Sequence, residues 1–351
     1  MVKYIARRII QSIPTLFGIT ILTWIIMLAA PGGPTGALVL DPNLTPQQRE
    51  RAAEVLGVND PMPVQYIRWL IGNDWHWFLG PIDYNFRDRN NDGVPELGTD
   101  RGILRGDFGI SFANNNRPVL PLFAERLGAT LELGFSALLF GLILGVPIGI
   151  TAAVLRGSPF DNATRVFAVV VNAVPIFWLG LILILIFGAN LKILPMGGRC
   201  PVVLTGGCPP LYERLNYLLL PMIVLGAGGV AGYSRYLRAS MLDVLGQDYM
   251  RTARSKGLAE RVVWFAHGAR NALIPLATFL GPAIAFVWGG AFVTETIFSW
   301  PGIGRLTLQS IVAQDYAMIM AVTVFSALAT VIGYIISDVL YALIDPRIRF
   351  G

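Results

Sequence analysis

The chain has 351 residues, of which 54% are hydrophobic and only 14% charged, with a net charge of +5 and a mean hydropathy of +0.59. A soluble globular domain carries about 25% charged residues, so the balance excludes that class and points to a membrane protein. The positive charge does not mark a nucleic-acid binder, because the Lys and Arg residues lie beside apolar runs and no basic segment is interleaved with exposed aromatics.

Six apolar segments follow one another: Ile9 to Ala30, Thr130 to Leu155, Val166 to Ala189, Leu218 to Tyr233, Ala272 to Thr294 and Ala317 to Ile344. A helical span needs about 20 residues, at about 1.5 Å of rise each against a hydrocarbon core of about 30 Å. Lipid offers no partner to a free backbone N–H or C=O, so these runs are expected to be helices. The fourth is short, carries Gly226, Gly228, Gly229 and Gly232, and is expected to extend beyond its marked ends. The sequence predicts an all-α polytopic membrane protein with six transmembrane helices. Its parts are an amino terminus and first helix (1–30), a large external loop domain between helices 1 and 2 (31–126), and a core (127–351) containing a cytoplasmic loop at 234–271.

The first segment has a basic start in Lys3, Arg7 and Arg8 and small residues at Ala29 and Ala30, as a signal peptide would. Its apolar stretch exceeds the 7–15 residues usual for a signal h-region, so a retained helix is expected, kinked near Pro14. Arg156 and Arg165 flank the second-to-third connection, seven further basic residues lie between Arg235 and Arg270, and Arg347 and Arg349 close the chain. The opposite side carries a similar number, but mostly within one long loop that the positive-inside rule discounts. Both termini are therefore expected in the cytoplasm.

Within the external region, LTPQQRERAAEVLGVNDPMPVQYIRWL reads as a helix from Pro46 to Leu56, a Pro-broken turn, and a second helix carrying Tyr66, Trp69 and Leu70. It is either a cap that touches a partner or a subdomain packed on the bundle. Further on, Asp88, Asn90 and Asp92 followed by Gly93 match the first half of a calcium loop. Position twelve is Thr99, with Asp100 one place late, so a structural calcium site and a metal-free polar turn both remain open.

Gly141, Gly145 and Gly149 recur at four-residue spacing in the second segment, a pattern that lets helix backbones approach closely. Pro147 and Pro175 suggest kinks in the second and third segments. Cys200 and Cys208 are the only cysteines and stand at the spacing of a short disulfide-closed loop, a local brace in an oxidising compartment. Two Cys without a clustered His argue against zinc.

The most basic and most sharply patterned stretch is Gly246 to Asn271, GQDYMRTARSKGLAERVVWFAHGARN. Asp248 to Gly257 has helix formers and a glycine stop, with Arg251, Arg254 and Lys256 around it, and reads either as a solvated basic loop or as a short helix offered to a soluble partner. Two acidic residues near apolar zones stand out as substrate-path candidates. Glu295 lies in ETIFSWPGIGR, where Pro301, Gly302 and Gly304 are expected to shape a hairpin at the outer membrane boundary, and it is either a path residue or a capping carboxylate. Asp338 lies either within the last span, where carboxylates are costly and face protein or water, or, two turns from Asp345, at the cytoplasmic interface. The phosphate-loop pattern Gly-x-x-x-x-Gly-Lys-Ser/Thr is absent, as are nucleophile-elbow and paired-histidine motifs, and His76 and His267 are the only histidines. No catalytic residue is expected.

DYMRTARSKGL followed by HGARNALIP resembles the cytoplasmic loop of ABC-importer permeases, specifically the B-type subunit of the dipeptide, oligopeptide and nickel family. MVKYIARRIIQSIPTLFGITILTWIIM, GDFGISFANNNRPVLPLFAERL, GVPIGITAAVLRGSPFDNATRV, VPIFWLGLILILIF and SDVLYALIDPRIRF are similar to other parts of that family. Ala253 and Gly257 fit the general loop pattern, while Arg251 and Thr252 replace its Glu and first Ala, as in the peptide branch. The resemblance implies the type I ABC importer permease fold in a bacterial or archaeal plasma membrane. The implied partners are a C-type permease, two ABC ATPases that bind ATP and Mg, an external solute-binding protein and membrane lipid. It also implies ATPase coupling through Asp248, Tyr249, Arg251, Thr252, Ala253, Arg254, Lys256 and Gly257. Peptides are the expected cargo, with nickel chelates, or a carrier driven by an ion gradient, as alternatives.

Overall fold

The computed structural model describes residues 2–29, 45, 47, 61–72, 101–201, 208–289 and 291–344, and the described part is almost entirely helical. Helix α1 is Val2–Ala29 and α2 is Met62–Ile71. A two-stranded antiparallel ribbon, β1 Ile110–Ser111 with β2 Arg117–Pro118, leads into α3, Val119–Val154. Next come α4 Pro159–Ala173, α5 Ile176–Leu183 with a π-helical continuation Ile184–Asn190, α6 Leu215–Leu245 and α7 Asp248–Ser255. A mixed helical run follows over Glu260–Val262, Val263–Ala269 and Arg270–Ala272. The chain continues through α8 Leu276–Gly289, α9 Phe292–Ile297, α10 Ile303–Val312 and α11 Tyr316–Ile344. The expected helix at Pro46 to Leu56 and the calcium-loop residues Asp88, Asn90 and Asp92 lie outside the described residues.

Among the described residues, five helices are long and apolar enough to cross a bilayer, or six if α4 and α5 with its continuation count as one span. The third apolar segment is not the single helix expected. Its two halves meet at 101°, because Val174 is extended ahead of Pro175, at φ −83° and ψ 123°. The Pro ring disfavours the α region for the residue before it. Pro147, by contrast, lies inside continuous α3, and α6 runs well past both marked ends of the fourth segment. Exposed apolar side chains such as Ile10, Leu22 and Ile26 on α1 and Leu139 and Ile143 on α3 present a surface suited to lipid.

The chain divides into two compact units. The first comprises Met1–Ile9, Leu127–Arg305 and Leu328–Gly351. Here α3 and α6 pack backbone to backbone along the glycine stripe. A Cβ on Gly141 would stand 3.3 Å from Gly229 Cα, one on Gly145 3.0 Å from the Val230 carbonyl, and one on Gly149 2.5 Å from the Ser234 carbonyl. Ile150, Ala153, Leu237, Met241, Ala272 and Leu276 form the adjoining core. Gly281 and Gly333 make a second such contact between α8 and α11, where a Cβ on Gly281 would stand 3.0 Å from the Gly333 carbonyl.

The second unit comprises Ile10–Arg126 and Leu306–Ala327. Trp24 of α1 meets Tyr66 and Trp69 of α2 with ring centroids 6.0 and 5.8 Å apart, over Met27 and Met320. Tyr66 and Thr20 share a hydrogen bond of 2.8 Å, so the phenol keeps a partner in this apolar setting. The Ser111 hydroxyl donates to Asp315, whose other oxygen accepts from the Met318 N–H at 3.3 Å and caps α11. Burial pushes the Asp315 carboxyl up, against the opposing effect of these donors.

Candidate functional site

Helix α7 has two faces. Met250 and Ala253 are buried and pack on Val263, Val244 and Leu245. Asp248, Tyr249, Arg251, Thr252, Arg254 and Lys256 are exposed, and Asp248 has 97% of its side chain in solvent. Two apolar residues three apart on an otherwise polar eight-residue helix form a minimal buried stripe. The helix ends where the Lys256 and Gly257 N–H groups return to the Thr252 and Arg254 carbonyls. Gly257 has φ +75°, a left-handed conformation that glycine adopts without steric cost. Its missing side chain faces open space, so backbone conformation rather than room selects glycine.

Gly268 completes the seat. A Cβ there would lie 2.7 Å from Met241 Cε and 3.2 Å from Met250 Cε, so this bare position brings methionines from α6 and α7 together. Ser240 Oγ also donates to the Ala272 carbonyl at 2.9 Å, tying α6 to the chain beyond α7. Arg254 Nε reaches Glu260 at 3.2 Å and Arg251 lies 3.7 Å from Asp248. Both are exposed pairs of small energetic weight. The outer face of α7 is thus a charged, solvent-facing surface on a fixed base.

Glu295 is fully buried. Its Oε1 accepts from Thr130 Oγ1 at 3.1 Å and its Oε2 from the Arg305 N–H at 2.9 Å, in the first turn of α10. A carboxylate is favoured there by the free N–H groups and the helix dipole. Thr130 Oγ1 accepts from the Ile303 N–H at 2.7 Å, and Trp300 Nε1 donates to the Ala129 carbonyl at 2.8 Å. A Cβ on Gly302 would fall 2.5 Å from the Glu295 carboxyl atoms, and one on Gly304 2.6 Å from the Phe292 backbone. The glycines of ETIFSWPGIGR therefore make the space for this carboxylate, which fastens the α9–α10 hairpin to α3. Asp338 forms an ion pair with Arg8 at 3.2 Å, joining the start of α1 to the end of α11.

Cys200 and Cys208 are joined by a disulfide, Cα to Cα 5.6 Å. On either side of that loop, Arg199 and Arg214 converge on Glu132 of α3. Arg199 Nη2 is 2.6 Å from Oε2, while Arg214 Nη1 and Nη2 bind Oε1 and Oε2 at 2.5 and 2.7 Å. Bidentate guanidinium pairing of this kind fixes geometry as well as charge. At the α3–α4 turn, Asp161 is 1% exposed and accepts from Arg238 Nε and Nη2 at 2.5 and 2.8 Å and from the Gly157 N–H at 2.9 Å. Ser158 Oγ accepts from the Asp161 N–H at 3.2 Å and caps α4. Sequence reasoning passed over Asp161, although Ser158-Pro-Phe-Asp161 has the Ser-x-x-acid signature of a helix start. It also missed Met250 and Gly268, whose roles depend on contacts between separate elements.

Residues 145–350 match the family model described as binding-protein-dependent transport system inner membrane component, and residues 1–76 match its N-terminal companion. The chain is 41% identical over 350 residues to the oligopeptide transport system permease protein AppB of Bacillus subtilis (strain 168), covering 100% of both. It is 33% identical over 367 residues to the dipeptide transport system permease protein DppB of Escherichia coli (strain K12), covering 99% of each. It is also 33% identical over 350 residues to the glutathione transport system permease protein GsiC of Escherichia coli O1:K1 / APEC, covering 100% of both. The chain belongs to the family of binding-protein-dependent transport system inner membrane components.

Proposed function

We propose that this chain is the B-type permease subunit of an ATP-driven importer of di- or oligopeptides. The observation that carries the reading is α7, a short helix seated by Met250 and Ala253 with its charged face in solvent, in a member of a transport family. In this reading the chain pairs with a C-type permease and forms half of the translocation path. Two cytoplasmic ATPases hold ATP and Mg, and a solute-binding protein delivers cargo from outside. The termini and α7 lie on the cytoplasmic side of a bacterial or archaeal plasma membrane, with six spans if the bent pair α4–α5 counts as one. Closure of the ATPases on ATP pushes α7, and its seat on α6 passes the motion to the bundle.

Peptide cargo is favoured because the relatives described above are named for oligopeptide, dipeptide and glutathione transport, and glutathione is itself a tripeptide. Nickel chelates carried by the same mechanism are the second choice. A carrier driven by an ion gradient would need carboxylates open to an ion, yet Glu132, Glu295 and Asp338 are engaged by Arg199 and Arg214, by Thr130 and the α10 N-terminus, and by Arg8. The direct test is reconstitution of the complex with its binding protein in proteoliposomes. Uptake of a labelled dipeptide that requires internal ATP is the expected result. Uptake that follows an imposed ion gradient without ATP would overturn the proposal.

A further inference from the structure

An apolar cleft opens between α4 and α6, lined by Arg165, Ala168, Val169, Arg235, Arg238 and Ala239. Asp161 is bound by Arg238 and stands 3.9 Å from Arg165. Three guanidiniums against one carboxylate leave a surplus of two positive charges beside an apolar groove. Arg165 and Arg235 are exposed, and among the described residues Arg235 has no ion-pair partner. Alongside the cleft, α4 presents Val166, Val169 and Val170 as exposed apolar side chains, a surface matched to acyl chains rather than water. Arginines beside an apolar groove fit a ligand with a phosphate and a hydrocarbon tail, because the planar fork of guanidinium pairs with phosphate oxygens.

We infer that this cleft holds an anionic glycerophospholipid of the cytoplasmic leaflet, its phosphate at Arg165 and Arg235 and one acyl chain along Ala168 and Val169. The inference rests on the orientation proposed above, which puts the Arg156 to Arg165 turn on the cytoplasmic side. Basic pockets between helices at that surface select anionic headgroups. Arg238 is already engaged by Asp161, which leaves the two exposed arginines to take the phosphate. The lipid would then steady α6 one turn or more before it leads into α7.

The test uses the purified intact complex in nanodiscs of phosphatidylglycerol and phosphatidylcholine, with retained lipids counted by native mass spectrometry after release. Phosphatidylglycerol is expected to be retained in preference. Arg235→Gln and Arg165→Gln should each lower that preference about fivefold, the weight of one arginine near an anionic headgroup. Arg156→Gln, on the exposed turn outside the cleft, should leave it unchanged. Val169→Trp, at an exposed position, should crowd out the lipid without disturbing the fold. Equal retention of the two lipids, or an unchanged preference in the Arg165→Gln/Arg235→Gln double variant, overturns the inference. Loss of the bound lipid to soluble glycerol phosphate would reassign the arginines to a free phosphate, and crosslinking of Val169→Cys to the second permease would give the cleft to a protein partner. Partner subunits are identified in the same spectra, so failure of the lipid site is separable from failure of the importer reading.

Discussion

Replacing Met250 with alanine removes the principal anchor of α7 while leaving its outer face untouched. Met250 is completely buried, and Ala253 is the only other buried residue of the helix. Truncating a buried Met to Ala costs about 2–5 kcal/mol through lost transfer energy and the cavity left behind. At about 1.4 kcal/mol per factor of ten, a loss near 3 kcal/mol lowers the ratio of seated to unseated α7 about a hundredfold. Met250→Leu, which keeps the volume, should cost less than about 1.5 kcal/mol. The assay is peptide uptake and ATP hydrolysis measured together in proteoliposomes. The expected outcome for Met250→Ala is membrane insertion at normal levels, with uptake per ATP reduced at least tenfold, and near-normal behaviour for Met250→Leu. Wild-type uptake per ATP in Met250→Ala would refute the view that this seat transmits motion.

Gly257→Val should cost about 1–2 kcal/mol, because φ +75° is strained for any residue with a Cβ, and should reduce coupled uptake without clashing with a neighbour; unchanged uptake would count against the role of the turn. Gly149→Leu has no room beside the Ser234 carbonyl and should abolish recovery of folded protein in detergent, whereas Gly228→Leu, with open space at its Cβ, should be recovered normally by size-exclusion chromatography. Glu295→Ala leaves the Arg305 N–H and Thr130 hydroxyl without their acceptor, at about 1–3 kcal/mol for each unpaired buried group, and should lower the midpoint of thermal unfolding; Gly302→Ala should act in the same direction by displacing the carboxylate. Cys200→Ser opens a loop closed over a sequence separation of 8, worth about 2.5 kcal/mol on the loop-entropy relation, and differential scanning fluorimetry with and without reductant should show the wild type alone shifting.

Much of the bundle was legible because lipid leaves few choices: long apolar runs must be helices, and glycines four apart marked where α6 lies against α3. The extent of α7 was legible as well, from Asp248 at its start to Gly257 just beyond its end. The third segment misled because hydropathy does not distinguish one straight span from two helices at 101°; only Val174 ahead of Pro175 carried that information, and it was read as a kink. Pairings between distant parts of the chain were not legible. Glu132 and Arg214 are 82 residues apart, and Asp161 and Arg238 are 77 apart, so nothing local predicts them. Glu295 illustrates the middle case. Its nearby glycines were visible, but that Gly302 and Gly304 clear space for its carboxylate and the hairpin depends on the hairpin closing against Thr130.

The account depends most on α7 being the contact point for the ATPases, and a photo-crosslinker placed at Arg251 tests that directly. Arg251 is 76% exposed on the outer face, so the probe does not disturb the Met250 seat. In membranes from the native host, the account predicts a single dominant adduct with a nucleotide-binding subunit, changing in yield when ATP is added. A probe at Leu104, exposed in the region proposed to be external, should give no such adduct. Equal labelling of the ATPase from both positions, or none from Arg251, would contradict the claim that this helix couples the chain to ATP.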